Sequence, residues 1–157
     1  MHRFISVRLA AVALATATVA LLPLAGPASA ATGAQCTKLV PGVTDLKKGT
    51  STSTLSACTP TSATGGGGKS VSNIKTGVST TTWNGGKGTT ITKTTYKAGP
   101  KVNKCPKGSS LLLIVGKVTG GSGAALKAIP KGQAVSASVC LGANNKATLM
   151  PGTAYKF

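Results

Sequence analysis

The chain has 157 residues, with 18 Lys and Arg against one acidic residue and one His, a formal net charge of +17. That balance points to polyanions as partners and leaves too few carboxylates for paired-acid or metal-binding chemistry. Only 3% of the residues are aromatic, so any core must be small-sided and thin.

The N-terminal stretch reads as a secretory signal. His2, Arg3 and Arg8 precede the apolar run Leu9 to Leu24, and Ala28-Ser29-Ala30 forms an A-x-A cleavage site. The run is shorter than the ~20 residues of a membrane-spanning helix, and no second one follows. Cleavage after Ala30 is expected, leaving residues 31–157 as one domain in a secreted, extracellular protein that can associate with the cell wall. No transmembrane segment is expected in that mature chain. Cleavage also removes both arginines and the only His, so the remaining cations are lysines set against Asp45 alone.

Cys36 to Val40 reads as a first strand ending at Pro41-Gly42. Val43 to Leu46 and Thr50 to Cys58 read as two more, around Lys47-Lys48-Gly49. Thr59 to Lys69 contains four consecutive glycines and is expected to be a flexible surface loop. Val71 to Thr76 suits an edge strand, because Lys75 would guard the edge. Val78 to Tyr96 reads as a Thr-rich hairpin around Asn84-Gly85-Gly86-Lys87-Gly88. A five-residue loop would pair Trp83 with Thr89 and place Trp83 and Ile91 on one face. A two-residue Gly85-Gly86 turn would put Trp83 opposite Gly88. The longer loop is preferred because the scarce large side chains then share a side, with Trp83 as a core residue.

Lys97 to Lys107 reads as a connector. Leu111 to Val115, within the strand Ser109 to Thr119, is apolar on both faces and reads as a central strand covered on two sides. Ala124 to Ile129 is expected to form a single helical turn ended by Pro130. Gln133 to Leu141 alternates Val135, Ala137 and Val139 with serines, the pattern of a half-buried strand. Lys146 to Met150 and Thr153 to Phe157 complete the series. Eight to ten short strands with regular turns predict an all-β fold, an antiparallel β-sandwich or barrel.

Such a small core needs staples, and Cys36, Cys58, Cys105 and Cys140 supply them. Four cysteines allow three connectivities. Pairing 36–58 and 105–140 is favoured because each pair brackets one hairpin-sized segment, and each would contribute about 3 kcal/mol. No metal site is expected, since close pairs such as C-x-x-C are absent.

Two motifs touch chemistry and both have simpler readings. Ala63 to Ser70 fits a relaxed phosphate-loop pattern, but no helix-forming stretch follows and no downstream acid could hold magnesium. Ser72-Asn73-Ile74-Lys75 has the S-x-x-K form and Lys75-Thr76-Gly77 reads K-T-G, yet the two share a lysine within a predicted strand. With no His and one acid after cleavage, general acid–base catalysis lacks its usual groups. No catalytic residue, cofactor or enzymatic activity is therefore expected; a hydrolase using Ser and Lys is the remote alternative.

Charge remains. Lys87, Lys93, Lys97, Lys101, Lys104 and Lys107 form the candidate basic surface. Lysine is a flexible point charge without the planar fork of arginine, and few aromatics are available for base stacking, so specific nucleic-acid recognition is not expected. An anionic envelope polymer or lipid surface fits better. A protein-interaction module, an inhibitor or effector acting through Thr59–Lys69, is the alternative. Oligomeric state is left open by the sequence.

The Ala-rich leader, the early Cys36 and Cys58, the Trp83-Asn84-Gly85-Gly86-Lys87 hairpin, the Lys117 to Gly123 stretch and the Cys140 strand together resemble small secreted actinobacterial proteins of uncharacterised function. The resemblance implies an exported β-rich domain with two disulfides and brings no activity, ligand or catalytic residue.

Overall fold

Thr, Ser and Val recurring with a period of two carry most of the chain into strands, where β-branched side chains pack well on a pleated surface. The computed structural model describes residues 33–101 and 104–157, and the expected signal sequence lies outside them. The strands are β1 (Gln35–Asp45), β2 (Thr50–Thr59), β3 (Gly67–Asn73), β4 (Val78–Trp83) and β5 (Gly88–Ala98). They continue as β6 (Ser110–Gly121), β7 (Ala134–Leu141), β8 (Ala147–Leu149) and β9 (Tyr155–Lys156). Two short helices, α1 (Thr61–Thr64) and α2 (Gly123–Ala128), sit between strands.

Strands β1 to β7 pair antiparallel in chain order. Strand β9 then inserts between β7 and β1, pairing Lys156 with Ser136 on one side and with Gln35 on the other. The result is a closed eight-stranded barrel, with β8 as an additional strand on β7. Closure covers the Gln35–Cys36 end of β1, while the rest of that strand keeps an edge without a partner on the β9 side, where Pro41 guards it.

Because neighbouring strands alternate in direction, the connections segregate to two ends. One end carries α1, a 3-10 turn at Asn84–Gly86 and α2. It is plugged by Leu55, Trp83, Val118, Ala125, Ile129 and Phe157, packed with the Cys36–Cys58 disulfide. Trp83 meets Phe157 edge-on, with ring centroids 5.3 Å apart and planes at 71°. Full burial of each large side chain here is worth about 1.5–3 kcal/mol. The other end carries the turns β1–β2, β3–β4, β5–β6 and β7–β8 and is called here the turn end.

Between the ends the interior has two unlike walls. Strands β3, β4 and β5 turn buried hydroxyls inward: Ser70, Ser79, Thr81, Thr90, Thr92 and Thr94. Strands β6 and β7 contribute Val118, Val135, Ala137 and Val139. Four of these hydroxyls take partners within the wall, and Thr94 Oγ1 donates to the Gly77 carbonyl at 3.3 Å. Ser79 Oγ donates to Ser72 Oγ at 2.8 Å, and Thr81 Oγ1 donates to Ser70 Oγ at 3.2 Å. Trp83 Nε1 donates to Thr90 Oγ1 at 2.8 Å.

Several expectations hold. Both disulfides form as favoured, Cys36–Cys58 and Cys105–Cys140. The helical turn before Pro130 is α2, and Val135, Ala137 and Val139 are buried on β7. Trp83 is in the core, 2% exposed.

Leu111–Val115 is not covered on two sides: its outer face, with Leu113 and Val115, lines a surface depression, and Val115 is 38% exposed. Four further details differ. The hairpin takes the shorter register, Trp83 opposite Gly88, so Trp83 points inward and Ile91 outward. The reason is the hydroxyl wall: Thr90, not Ile91, offers the indole an acceptor, and the inner face of β5 is made of threonines. The two strands expected either side of Pro41 are one strand, β1, with a register shift between Pro41 and Thr44. Proline is tolerated there because the ladder with β9 involves only Gln35 and Cys36, which leaves position 41 no partner on that side. The expected Val71–Thr76 edge strand is instead β3, held between β2 and β4, with Lys75 in the following turn.

The fourth is the glycine run. Thr59–Lys69, expected as a flexible loop, is built into α1 and the start of β3. Gly65 closes α1 with φ 58°, its N–H donating to the Thr61 carbonyl at 2.8 Å. A Cβ on Gly68 would lie 2.6 Å from the Thr82 carbonyl oxygen and 3.0 Å from the Trp83 ring. Glycine is needed there for close approach to the plug rather than for freedom.

Candidate functional site

The Lys-x-Thr-x-Lys spacing of Lys93, Thr95 and Lys97 puts all three on the outer face of β5, while Thr92 and Thr94 face in. The barrel register then arranges the outer wall in rows. Lys93 stands directly opposite Lys117, Thr95 beside Val115 and Ser136, and Lys97 beside Leu113 and Ser138. Ser136 continues through Lys156 to Gln35 across the barrel seam. Lys93, Lys97, Lys117 and Lys156 are all exposed.

A depression of about 750 Å³ lies on this wall, bounded by Thr37, Leu113, Val115, Ser138 and Thr153. A second, of about 900 Å³, reaches Thr59, Lys127, Gln133 and Phe157. Both are bordered by Gln35, Ser136 and Lys156, so the two depressions adjoin along the seam. Their linings mix hydroxyls, glutamine amides and short aliphatic groups with Lys127 and Lys156.

Like charges directly opposite on neighbouring strands repel, their Cβ atoms only ~5 Å apart. No carboxylate offsets the Lys93–Lys117 pair. The one acid, Asp45, lies in the β1–β2 hairpin with its carboxylate 3.9 Å from Lys48. The wall is thus a cationic surface without internal counter-charge. Trp83 and Phe157 are buried in the plug, and Tyr96, 39% exposed, alternates to the opposite face of β5 from Lys93 and Lys97.

The six lysines singled out from the sequence do not form one compact patch. Lys87 follows the 3-10 turn at the plugged end, where its carbonyl accepts from Ala125 N at 2.9 Å. Lys101, Lys104 and Lys107 lie on the β5–β6 connection at the turn end, which Cys105–Cys140 ties to β7. Lys93 and Lys97 lie between, so the set spans the length of β5, roughly 35 Å. The sequence reading missed Lys117 and Lys156, whose proximity to the others depends wholly on barrel register.

The two motifs fall apart in three dimensions. Ser72 faces the hydroxyl wall, accepting from Ser79, while exposed Lys75 donates from Nζ to the Lys47 carbonyl at 3.5 Å. The glycine run follows a one-turn helix and opens a strand, the reverse of a phosphate loop. All four cysteines are disulfide-bonded. The Tyr155 hydroxyl is held above its ordinary range, first by burial and then by nearby Tyr96. Its ring sits 5.0 Å from Phe157. No described helix is long and apolar enough to cross a membrane. No family, curated protein or solved structure matches the chain.

Proposed function

We propose that this is an exported, non-enzymatic protein that binds anionic cell-envelope or extracellular polymers through lysine electrostatics. The observation that carries the reading is the opposed Lys93–Lys117 pair on the outer wall of β5 and β6, which no acid neutralises. Side-by-side lysines cost stability in isolation, and an anionic ligand converts that cost into attraction. Hydroxyls and amides lining the two depressions along the seam suit the polar repeats of such a polymer. Because the lysines are solvated point charges, binding depends strongly on salt and weakly on sequence or stereochemistry.

The test is a salt-graded elution of residues 31–157 from an immobilised polyanion and from cell-wall fractions. Retention at low salt with release at moderate salt is expected, and Lys93→Ala/Lys117→Ala should elute earlier. Absence of retention at low salt would end this reading.

A further inference from the structure

The four turns at one end of the barrel concentrate charge in a way the outer wall does not. The β1–β2 turn carries Lys47 and Lys48, the β3–β4 turn Lys75, and the β7–β8 turn Lys146, all exposed. The β5–β6 connection adds exposed Lys101, Lys104 and Lys107. The connections at the plugged end carry only Lys87, Lys127 and Lys131. The turn end is also tied together. Ile74 N donates to the Gly49 carbonyl at 2.9 Å, and the Lys75 stem packs over Gly49.

Two aliphatic side chains accompany this charge. Val43 is 77% and Leu46 61% exposed, the two highest values among the exposed large hydrophobic residues. Both belong to the β1–β2 hairpin, next to Lys47 and Lys48. Exposed aliphatics beside clustered lysines match the two components of an anionic bilayer surface, its charged headgroups and the apolar region beneath them. A soluble polyanion would use the lysines and leave Val43 and Leu46 in water.

We infer that the turn end docks on an anionic lipid surface, with Val43 and Leu46 entering the interfacial region and the surrounding lysines meeting acidic headgroups. The inference rests on the reading of the lysines as an anion-binding field and adds a face, an orientation and a partner. It places the barrel axis toward the membrane normal, with the plugged end away from the lipid.

Co-sedimentation with phosphatidylcholine vesicles, with and without phosphatidylglycerol, tests it. Residues 31–157 should bind only the phosphatidylglycerol vesicles and release with salt. Lys47→Ala/Lys48→Ala/Lys75→Ala should weaken binding by about fivefold per lysine removed. Val43→Ser/Leu46→Ser should weaken it about tenfold while leaving elution from a soluble polyanion unchanged. Lys87→Ala/Lys127→Ala/Lys131→Ala should bind vesicles as the parent does. Equal vesicle binding by the Val43/Leu46 variant and the parent, or equal loss from the plugged-end and turn-end lysine variants, overturns the docking inference. Retention on the polyanion without vesicle binding overturns it alone, whereas loss of both overturns the electrostatic reading beneath it.

Discussion

The two ends of the barrel divide its properties. The plugged end gathers Leu55, Trp83, Val118, Ile129 and Phe157 with a disulfide, whereas the turn end gathers lysines and leaves Val43 and Leu46 in solvent. A chain with so few large side chains cannot fill a barrel evenly. It places most of them at one end and completes the interior with one wall of hydroxyls and one of short aliphatic side chains. Stability and surface charge are thereby separated, and a change at either end should affect one without the other.

The largest effect should come from the plug. Trp83→Ala removes the biggest buried side chain and its contact with Phe157, so a loss of about 3–5 kcal/mol is expected in denaturant unfolding. Next, Cys36→Ser/Cys58→Ser frees the β1–β2 hairpin and should cost about 3 kcal/mol by the same measurement. Thr90→Val keeps shape but strands the Trp83 Nε1 donor, an expected loss of about 1–3 kcal/mol. A smaller loss, or none, would mean that the hydroxyl wall only fills space.

Tyr155 gives a pH-dependent test of the same region. Its folded value is raised, so the native state holds a neutral phenol where the unfolded chain ionises. Its share of stability is therefore fully present below its ordinary value of 10.0 and declines as pH rises above it. Tyr155→Phe should flatten the alkaline limb of the stability profile relative to the parent; parallel limbs would contradict the burial of that hydroxyl. The smallest stability change belongs to the turn end. Lys47→Ala/Lys48→Ala/Lys75→Ala should shift unfolding by no more than about 0.5 kcal/mol. A larger destabilisation would show that the turn end helps hold the barrel together.

How far the sequence could be read follows the same division. Where apolar and polar residues alternate, as in Val135, Ala137 and Val139, strand and inner face were both legible. The hairpin register was not, because the inner face of β4 and β5 is hydroxylic. A rule that gathers large apolar groups on one side selects the wrong partner for Trp83. The glycine run misled in a related way. Four glycines suggest chain freedom, and only the position of Trp83 reveals that Gly68 is needed for close packing. The cationic wall was half legible. The outward lysines of β5 follow from their spacing, but Lys117 and Lys156 join them only through the β5–β6 register and the short β9 bridge.

That bridge has a kinetic consequence. The β1 to β7 ladders join strands that follow one another in the chain, so each can form as a local hairpin. Pairing of Gln35 with Lys156 joins positions about 120 residues apart and carries the largest loop-closure entropy in the structure. The ring should therefore close last, after an open sheet has assembled, and through a contact only two residues wide. Until then the Gln35–Cys36 end of β1 and the Ser136 end of β7 are unprotected edges. The time this chain spends able to pair with another copy of itself is thus set by the rate at which Tyr155 and Lys156 find their place.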